Sequence, residues 1–256
     1  MIAMLFDIYV ICFLFIVGVF CGFSMVIIGI KMPLKVKEYF SACDNCNHPY
    51  KWYELMPILS FFLNGGRCNY CQKELSLFYP FLELLSGLLF SFSYMIYGFS
   101  YEMLMMMILT MLSVMIYVSD FKYYIILDKP ILIAGIIVLA CKLLFFGVET
   151  FIISLCSGFL VFFFMYFIKT VGDKLFKQES LGGGDVKLST FFGVLLGIRL
   201  SIVALIIGSF LAFPCALYAS LTNKDREIPF GPFLITGLYI SFIFMDPIKN
   251  FISVIF

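Results

Sequence analysis

Apolar residues fill this chain in runs of membrane-spanning length, and polar residues collect in the intervals between them. A spanning helix needs about 20 mostly apolar residues. Eight segments meet or approach that length, at 8–30, 79–98, 103–119, 130–147, 150–168, 188–198, 201–220 and 231–247. The interval 31–78 is long and polar, and the remaining intervals are short. The pattern predicts an all-α polytopic membrane protein with about eight transmembrane helices and a small loop domain between the first two. Three regions follow: a first helix over 1–30, a loop over 31–78 and a seven-helix core over 79–256. The first run is too long for a cleaved signal peptide, and Met1–Phe6 carries no Lys or Arg, so it is expected to be retained.

Composition supports the bilayer as solvent. Hydrophobic residues make up 63% of the 256 positions, charged residues 13%, and the mean hydropathy is +1.07. Soluble domains average about 45–50% apolar and about 25% charged. The net charge of +1 gives no sign of a nucleic-acid partner. The distribution of charge says more than its sum. The intervals 31–78, 119–130, 169–187 and 221–230 hold six, two, four and two of the 17 basic residues. With eight spans all four intervals lie on one side, and short basic loops stay in the cytoplasm. Both termini are then expected outside.

The long loop carries two CxxC pairs, Cys43/Cys46 and Cys68/Cys71, with 21 residues between them. Each pair offers two thiolates from one turn, and two turns complete a tetrahedral zinc site. Two disulfides are the alternative, which a reducing cytoplasm disfavours. Four thiolates leave no open position for water, so the zinc is read as structural. His48, two residues after Cys46, is a bystander or a substitute ligand.

Acidic residues at the ends of apolar runs are functional candidates, because charge is costly there. Glu83, Asp120, Asp128 and Asp185 occupy such positions. Asp185 follows Gly182, Gly183 and Gly184 in "ESLGGGDVKLS". A phosphate loop would place Lys directly after the last glycine, and here an acid intervenes, so nucleotide binding fails. An N-cap explains one Asp and some glycine. It leaves Asp120, at the same depth on the same side, unexplained. Two carboxylates at one depth read as a dyad that shares one proton. The ionised member would take a proton from water and the protonated member would hydrogen-bond a substrate carbonyl. The glycines would let an extended substrate backbone approach Asp185.

Four stretches in this order resemble the type IV prepilin peptidases, membrane aspartyl proteases of the GxGD class. They are the loop from Ser41 to Phe90 with its paired CxxC and "YPFLE", "SDFKYYIILD", "LGGGDVKL" and "IPFGPFL". The segment "CGFSMVIIGIKMP" follows the family's first-helix motif loosely, with Lys31 in place of Arg, and Leu127 stands where the family has Pro. The resemblance implies Asp120 and Asp185 as the catalytic pair, with Asp128 as an alternative acid. Gly182, Gly183, Gly184, Asp128 and Glu83 are expected around the substrate, Glu83 having a structural role as its alternative. The implied substrate is a prepilin or pseudopilin precursor, cut after a glycine on the cytoplasmic face of a bacterial inner membrane. Many members also N-methylate the new terminus with S-adenosylmethionine. Two other readings remain: a proton- or cation-coupled transporter using Asp120 and Asp185, and a membrane scaffold whose zinc loop docks an assembly ATPase. Oligomeric state is not readable from the chain.

Overall fold

The computed structural model describes residues 2–33, 46, 48, 51, 56–177, 179–221 and 228–255. Cys43 lies outside the described residues. Nine helices order the described chain: α1 (Ile2–Lys31), α2 (Leu59–Leu63), α3 (Phe78–Tyr97), α4 (Tyr101–Tyr123), α5 (Asp128–Phe176), α6 (Gly183–Leu196), α7 (Ile198–Leu221), α8 (Gly231–Ile243) and α9 (Met245–Ile255). Every backbone polar group in a bilayer core must be satisfied within the protein, which leaves helices as the solution for an apolar chain of this kind. Five helices are long and apolar enough to span, or six if α8 and α9, bent by 79° at their junction, count as one.

Three of the eight apolar segments, two in α5 and one in α6, differ from simple spans. The segments at 130–147 and 150–168 form the two arms of α5, which are divided by a kink at Gly147, where the backbone is non-helical at φ 85° and ψ −176°. Only glycine adopts that conformation readily. The two arms of α5 are about 28 Å and about 43 Å long at about 1.5 Å per residue. The second arm therefore outruns a hydrocarbon core of about 30 Å. The segment at 188–198 belongs to α6, which is about 21 Å long at the same rise.

The chain forms two compact units, Met1–Val118 and Ser119–Phe256. In the first, α1 packs along α3 through small residues. A Cβ on Gly18 would lie 2.8 Å from Gly87 Cα, and one on Gly87 would lie 2.9 Å from Phe15 O. The close approach lets Ser86 Oγ donate to Gly18 O at 2.7 Å and Ser91 Oγ to Ile11 O at 3.0 Å. The Gly18–x–x–x–Gly22 spacing that makes this contact is readable in the sequence. Val26, Leu82, Val114 and Val118 form a buried cluster among α1, α3 and α4. Phe6, Phe13 and Phe20 on α1 stay exposed, as lipid-facing residues do.

In the second unit α5 packs along α6, and α7 along α8. The first pair meets at Gly158 and Gly193, where a Cβ on Gly193 would lie 2.5 Å from Ser157 O. The second meets at Gly208 and Gly237, where a Cβ on Gly208 would lie 2.9 Å from Leu234 Cα. Lys142 on α5 is buried, and its Nζ donates to Ser154 Oγ at 2.8 Å and to the carbonyls of Val194 and Leu195 at 2.7 and 3.1 Å. It thus satisfies carbonyls in the last turn of α6, which have no helical partner of their own. Lys142→Met strands them in an apolar setting, and the expected loss is about 1–3 kcal/mol. A fall in the thermal midpoint of the detergent-solubilised protein, smaller in Lys142→Arg, checks this; an unchanged midpoint contradicts it.

Candidate active site and cysteine cluster

The second unit brings Asp120 and Asp185 together. Asp120 lies in the last turn of α4, where the apolar run gives way to "FKYY". Asp185 lies in the first turn of α6, directly after the glycines, and its backbone N–H donates to Gly182 O at 3.1 Å. Both carboxyls are nearly sealed from solvent, at 4% and 6% exposure. They are near enough for Asp120 to act electrostatically on Asp185. Burying two carboxyls is expensive, so their partners matter. Asp120 Oδ2 accepts the backbone N–H of Gly231 at 2.9 Å, at the start of α8. Helix N-termini favour negative charge, and four N–H groups there lack helical acceptors. Asp185 Oδ1 is buried and has no hydrogen-bond partner among the described residues. The site therefore holds one carboxylate anchored by a backbone donor and one with an oxygen left unmatched.

The three glycines differ. A Cβ on Gly182 would lie 2.9 Å from Asp185 Oδ2, and one on Gly184 would lie 2.8 Å from Ile126 Cβ. A Cβ on Gly183 would meet nothing within 4 Å. Gly184 is thus held to glycine by packing against Ile126, a side chain at Gly182 would press on the Asp185 carboxyl, and of the three only Gly183 faces open space. Gly184→Ala is expected to push Ile126 and the loop after α4 aside, lowering both thermal stability and activity. Gly183→Ala is expected to leave stability unchanged. If a substrate backbone passes over Gly183, this variant raises KM several-fold; an unchanged KM removes Gly183 from the substrate path.

Asp128 is half-exposed at the start of α5, where Lys187 Nζ of α6 reaches its Oδ2 at 2.7 Å. The pair links the loop after Asp120 to the helix that begins at Asp185, although exposed ion pairs contribute at most about 1 kcal/mol. Glu83 lies in the first unit, buried at 5% exposure, and its Oε2 accepts the N–H of Ile58 at 2.8 Å. Ile58 has φ 59°, an uncommon conformation for a β-branched residue. Glu83 therefore ties the polar loop to α3. Gly231 and Pro232 in "PFGP" read as a turn near the active site or as a simple helix start, and neither reading identifies the Gly231 amide as the donor to Asp120, 111 positions away.

The cysteine cluster belongs to the first unit. The thiols of Cys46, Cys68 and Cys71 lie within 4.8 Å of one another, with Cys46 Sγ 4.0 Å from Cys68 Sγ. A tetrahedron of about 2.3 Å metal–sulfur bonds would place sulfurs about 3.8 Å apart. A tight turn presents the second pair: Cys68 N–H donates to Lys73 O, Gln72 N–H to Cys68 O, and Leu75 N–H to Gly66 O. Arg67 and Glu74 close it with a 3.0 Å ion pair. Cys68 is buried at 2% exposure, and the His48 ring packs against Tyr70 at 3.4 Å.

Residues 15–97 match the family model of the bacterial peptidase A24 N-terminal domain, and residues 106–217 that of the type IV leader peptidase family. The chain is 32% identical over 232 residues to a prepilin leader peptidase/N-methyltransferase of Myxococcus xanthus, covering 86% of this chain and 68% of the relative. It is 28% identical over 244 residues to the protein of that name from Bacillus subtilis, with 93% and 96% covered. The Vibrio cholerae protein of that name is 29% identical over 256 residues, with 92% and 96% covered. No solved structure matches the chain significantly. Matches in the same order along the chain, and a relative of this identity aligned over most of its own length, make the chain a member of the type IV leader peptidase family.

Proposed function

We propose that this protein is an aspartic endopeptidase that removes leader peptides from type IV prepilins or pseudopilins, cutting after a glycine on the cytoplasmic face of the membrane. The observation that carries this reading is the buried pair Asp120 and Asp185, each from a helix end, in a chain of this family. Asp120, held by the Gly231 amide, suits the ionised member. It takes a proton from a water that attacks the scissile carbonyl carbon. Asp185 carries the shared proton and donates it in a hydrogen bond to the carbonyl oxygen, which becomes the hydroxyl of a tetrahedral intermediate. Collapse breaks the C–N bond: the departing amine takes a proton from Asp120, and a hydroxyl of the intermediate returns its proton to Asp185, which restores the singly protonated pair. The leader leaves with a new carboxylate. Neither metal nor covalent intermediate takes part in these steps. Nothing in the site or among the relatives favours the transporter reading.

Eight transmembrane segments accommodate the chain if α5 counts as two arms, α6 as one short segment, and α8 with α9 as one bent segment. The basic intervals then face the cytoplasm and both termini lie outside. Asp120 and Asp185, at helix ends beside those intervals, stand where a cytoplasmic leader peptide can reach them. The cysteine cluster is read as a structural zinc site of Cys43, Cys46, Cys68 and Cys71. The thiol spacing and the hairpin turn suit that ion, and closed four-thiolate coordination gives it a folding role.

Methylation of the new N-terminus by S-adenosylmethionine is the second activity we propose, from the relatives' name. The ≈ 770 Å³ groove between α1 and α3 does not fit that donor: Ile11, Phe15, Ile16, Leu88 and Phe92 line it, with no charged group for a zwitterionic sulfonium. No step is derived through it. The cleavage reading is tested by mixing purified protein with a model prepilin and reading the products by mass. A leader ending in glycine supports it; an intact precursor contradicts it.

A further inference from the structure

Between α5 and the glycines, residues Glu179 to Leu181 are held by an array of side chains that the dyad alone does not require. Lys169 and Asp173, one turn apart near the end of α5, face this segment together. Lys169 Nζ donates to Glu179 Oε1 at 2.7 Å and to the carbonyl of Leu181. Asp173 Oδ1 accepts the Ser180 N–H at 2.7 Å and the Ser180 hydroxyl at 2.8 Å, and that hydroxyl also reaches Lys169 O at 3.3 Å. Ser180 fits against Gly172, where a Cβ would lie 2.9 Å from Ser180 Cβ. Three successive residues are thus fixed at a side chain, a backbone N–H and a backbone carbonyl.

A solvent-exposed loop has no need of this. Lys169 is 16% exposed and Asp173 33%, so the pair gives up hydration to make these bonds. They act on the last residues before Gly182, and Gly182 O anchors the Asp185 amide. Glycines transmit position poorly because their backbone is free. A run of three before a catalytic group therefore needs a fixed point just upstream. Lys169 is also near enough to act electrostatically on Asp185.

We propose that Lys169 and Asp173 are positioning residues for the peptidase reaction: they clamp Glu179–Leu181 and so hold Asp185 in register with Asp120. The inference rests on the reading of Asp185 as catalytic. Misplacing a reacting group by about 1 Å can cost about 100-fold in rate. Lys169→Met and Asp173→Ala should therefore lower kcat by about 10- to 100-fold. KM should stay within about twofold, because the clamp touches no substrate. Lys169→Arg restores a donor to Leu181 O, and Asp173→Asn keeps an acceptor for the Ser180 N–H; both should recover most of the lost kcat.

The experiment measures cleavage of a model prepilin by these four purified full-length variants beside Asp185→Asn, with amide hydrogen exchange over 179–186. Faster exchange in that stretch together with a kcat loss rescued by Arg and Asn supports the clamp. Wild-type kcat in both Lys169→Met and Asp173→Ala, a change confined to KM, or unchanged exchange overturns it. If Asp185→Asn still cleaves, the catalytic reading falls instead, whatever the exchange shows. Should Lys169→Met fail to insert, Ser180→Ala takes its place. It removes the hydroxyl's bonds alone and should show the same two effects, smaller; wild-type kcat and exchange there overturn the clamp equally.

Discussion

Asp120→Asn and Asp185→Asn are each expected to stop prepilin cleavage while the protein still inserts and folds. Asn has nearly the shape of Asp, keeps an oxygen to accept the Gly231 N–H at position 120, and removes only the ability to exchange a proton. At 185 it places an amide where the neutral acid would donate to the substrate carbonyl. Positioned proton transfer is worth about 10²–10⁴-fold in rate, and each carboxyl here serves both stages of the reaction, so the loss should reach at least about 10³-fold. Replacing a buried charged or titratable group by a neutral amide also lightens its desolvation burden, so stability should hold or rise. A melting midpoint at or above wild type, with no product, is the expected pair of results. Cleavage at the wild-type rate by either variant contradicts the dyad; a variant that fails to insert would be replaced by the other aspartate's variant in the same assay.

Loss of a metal ion is the second large effect. Purified protein is expected to carry about one zinc per chain, and Cys68→Ser or Cys43→Ser to carry almost none. Cys68 sits at the centre of the described cluster, buried, 4.0 Å from Cys46 and bracketed by the backbone bonds of its own turn. The interval 31–78 is short and polar for a core of its own, and a metal would supply the closure such a loop needs. Structural zinc contributes on the order of 10 kcal/mol to small domains of this kind. Its removal by chelator should therefore make the loop sensitive to protease while the membrane helices stay intact. A wild-type protein free of metal, or a Cys43→Ser variant that keeps it, contradicts the zinc reading.

What could be read from the chain follows from how much each signal depends on distant residues. Asp120 and Asp185 stood out because a carboxylate at the edge of an apolar run is conspicuous without any knowledge of its partner. The paired CxxC stood out for the same reason: ligand spacing is local. The Gly147 break falls where two predicted spans meet, and its non-helical backbone divides α5 into two arms that correspond to those two segments. Lys142, Lys169 and the Gly231 amide were not legible. In water a helix announces its inward face by the period of its apolar residues. The helices α5 to α8 are apolar on nearly every side, so their sequence does not say which face turns inward. Lys142 meets the end of α6 across 52 residues, and Gly231 meets Asp120 across 111. Small residues carry part of that missing information: Gly158 and Gly193 mark where α5 and α6 touch.

If Asp120 and Asp185 are the catalytic pair, they work as one unit. Cleavage rates of wild type, Asp120→Asn, Asp185→Asn and the double variant on one model prepilin test it most directly. Residues that act as a unit are strongly non-additive. The account predicts that each single change reaches the same floor and that the double change goes no lower. Two partial losses that multiply in the double variant, or one single variant that still cuts at the wild-type rate, would contradict it.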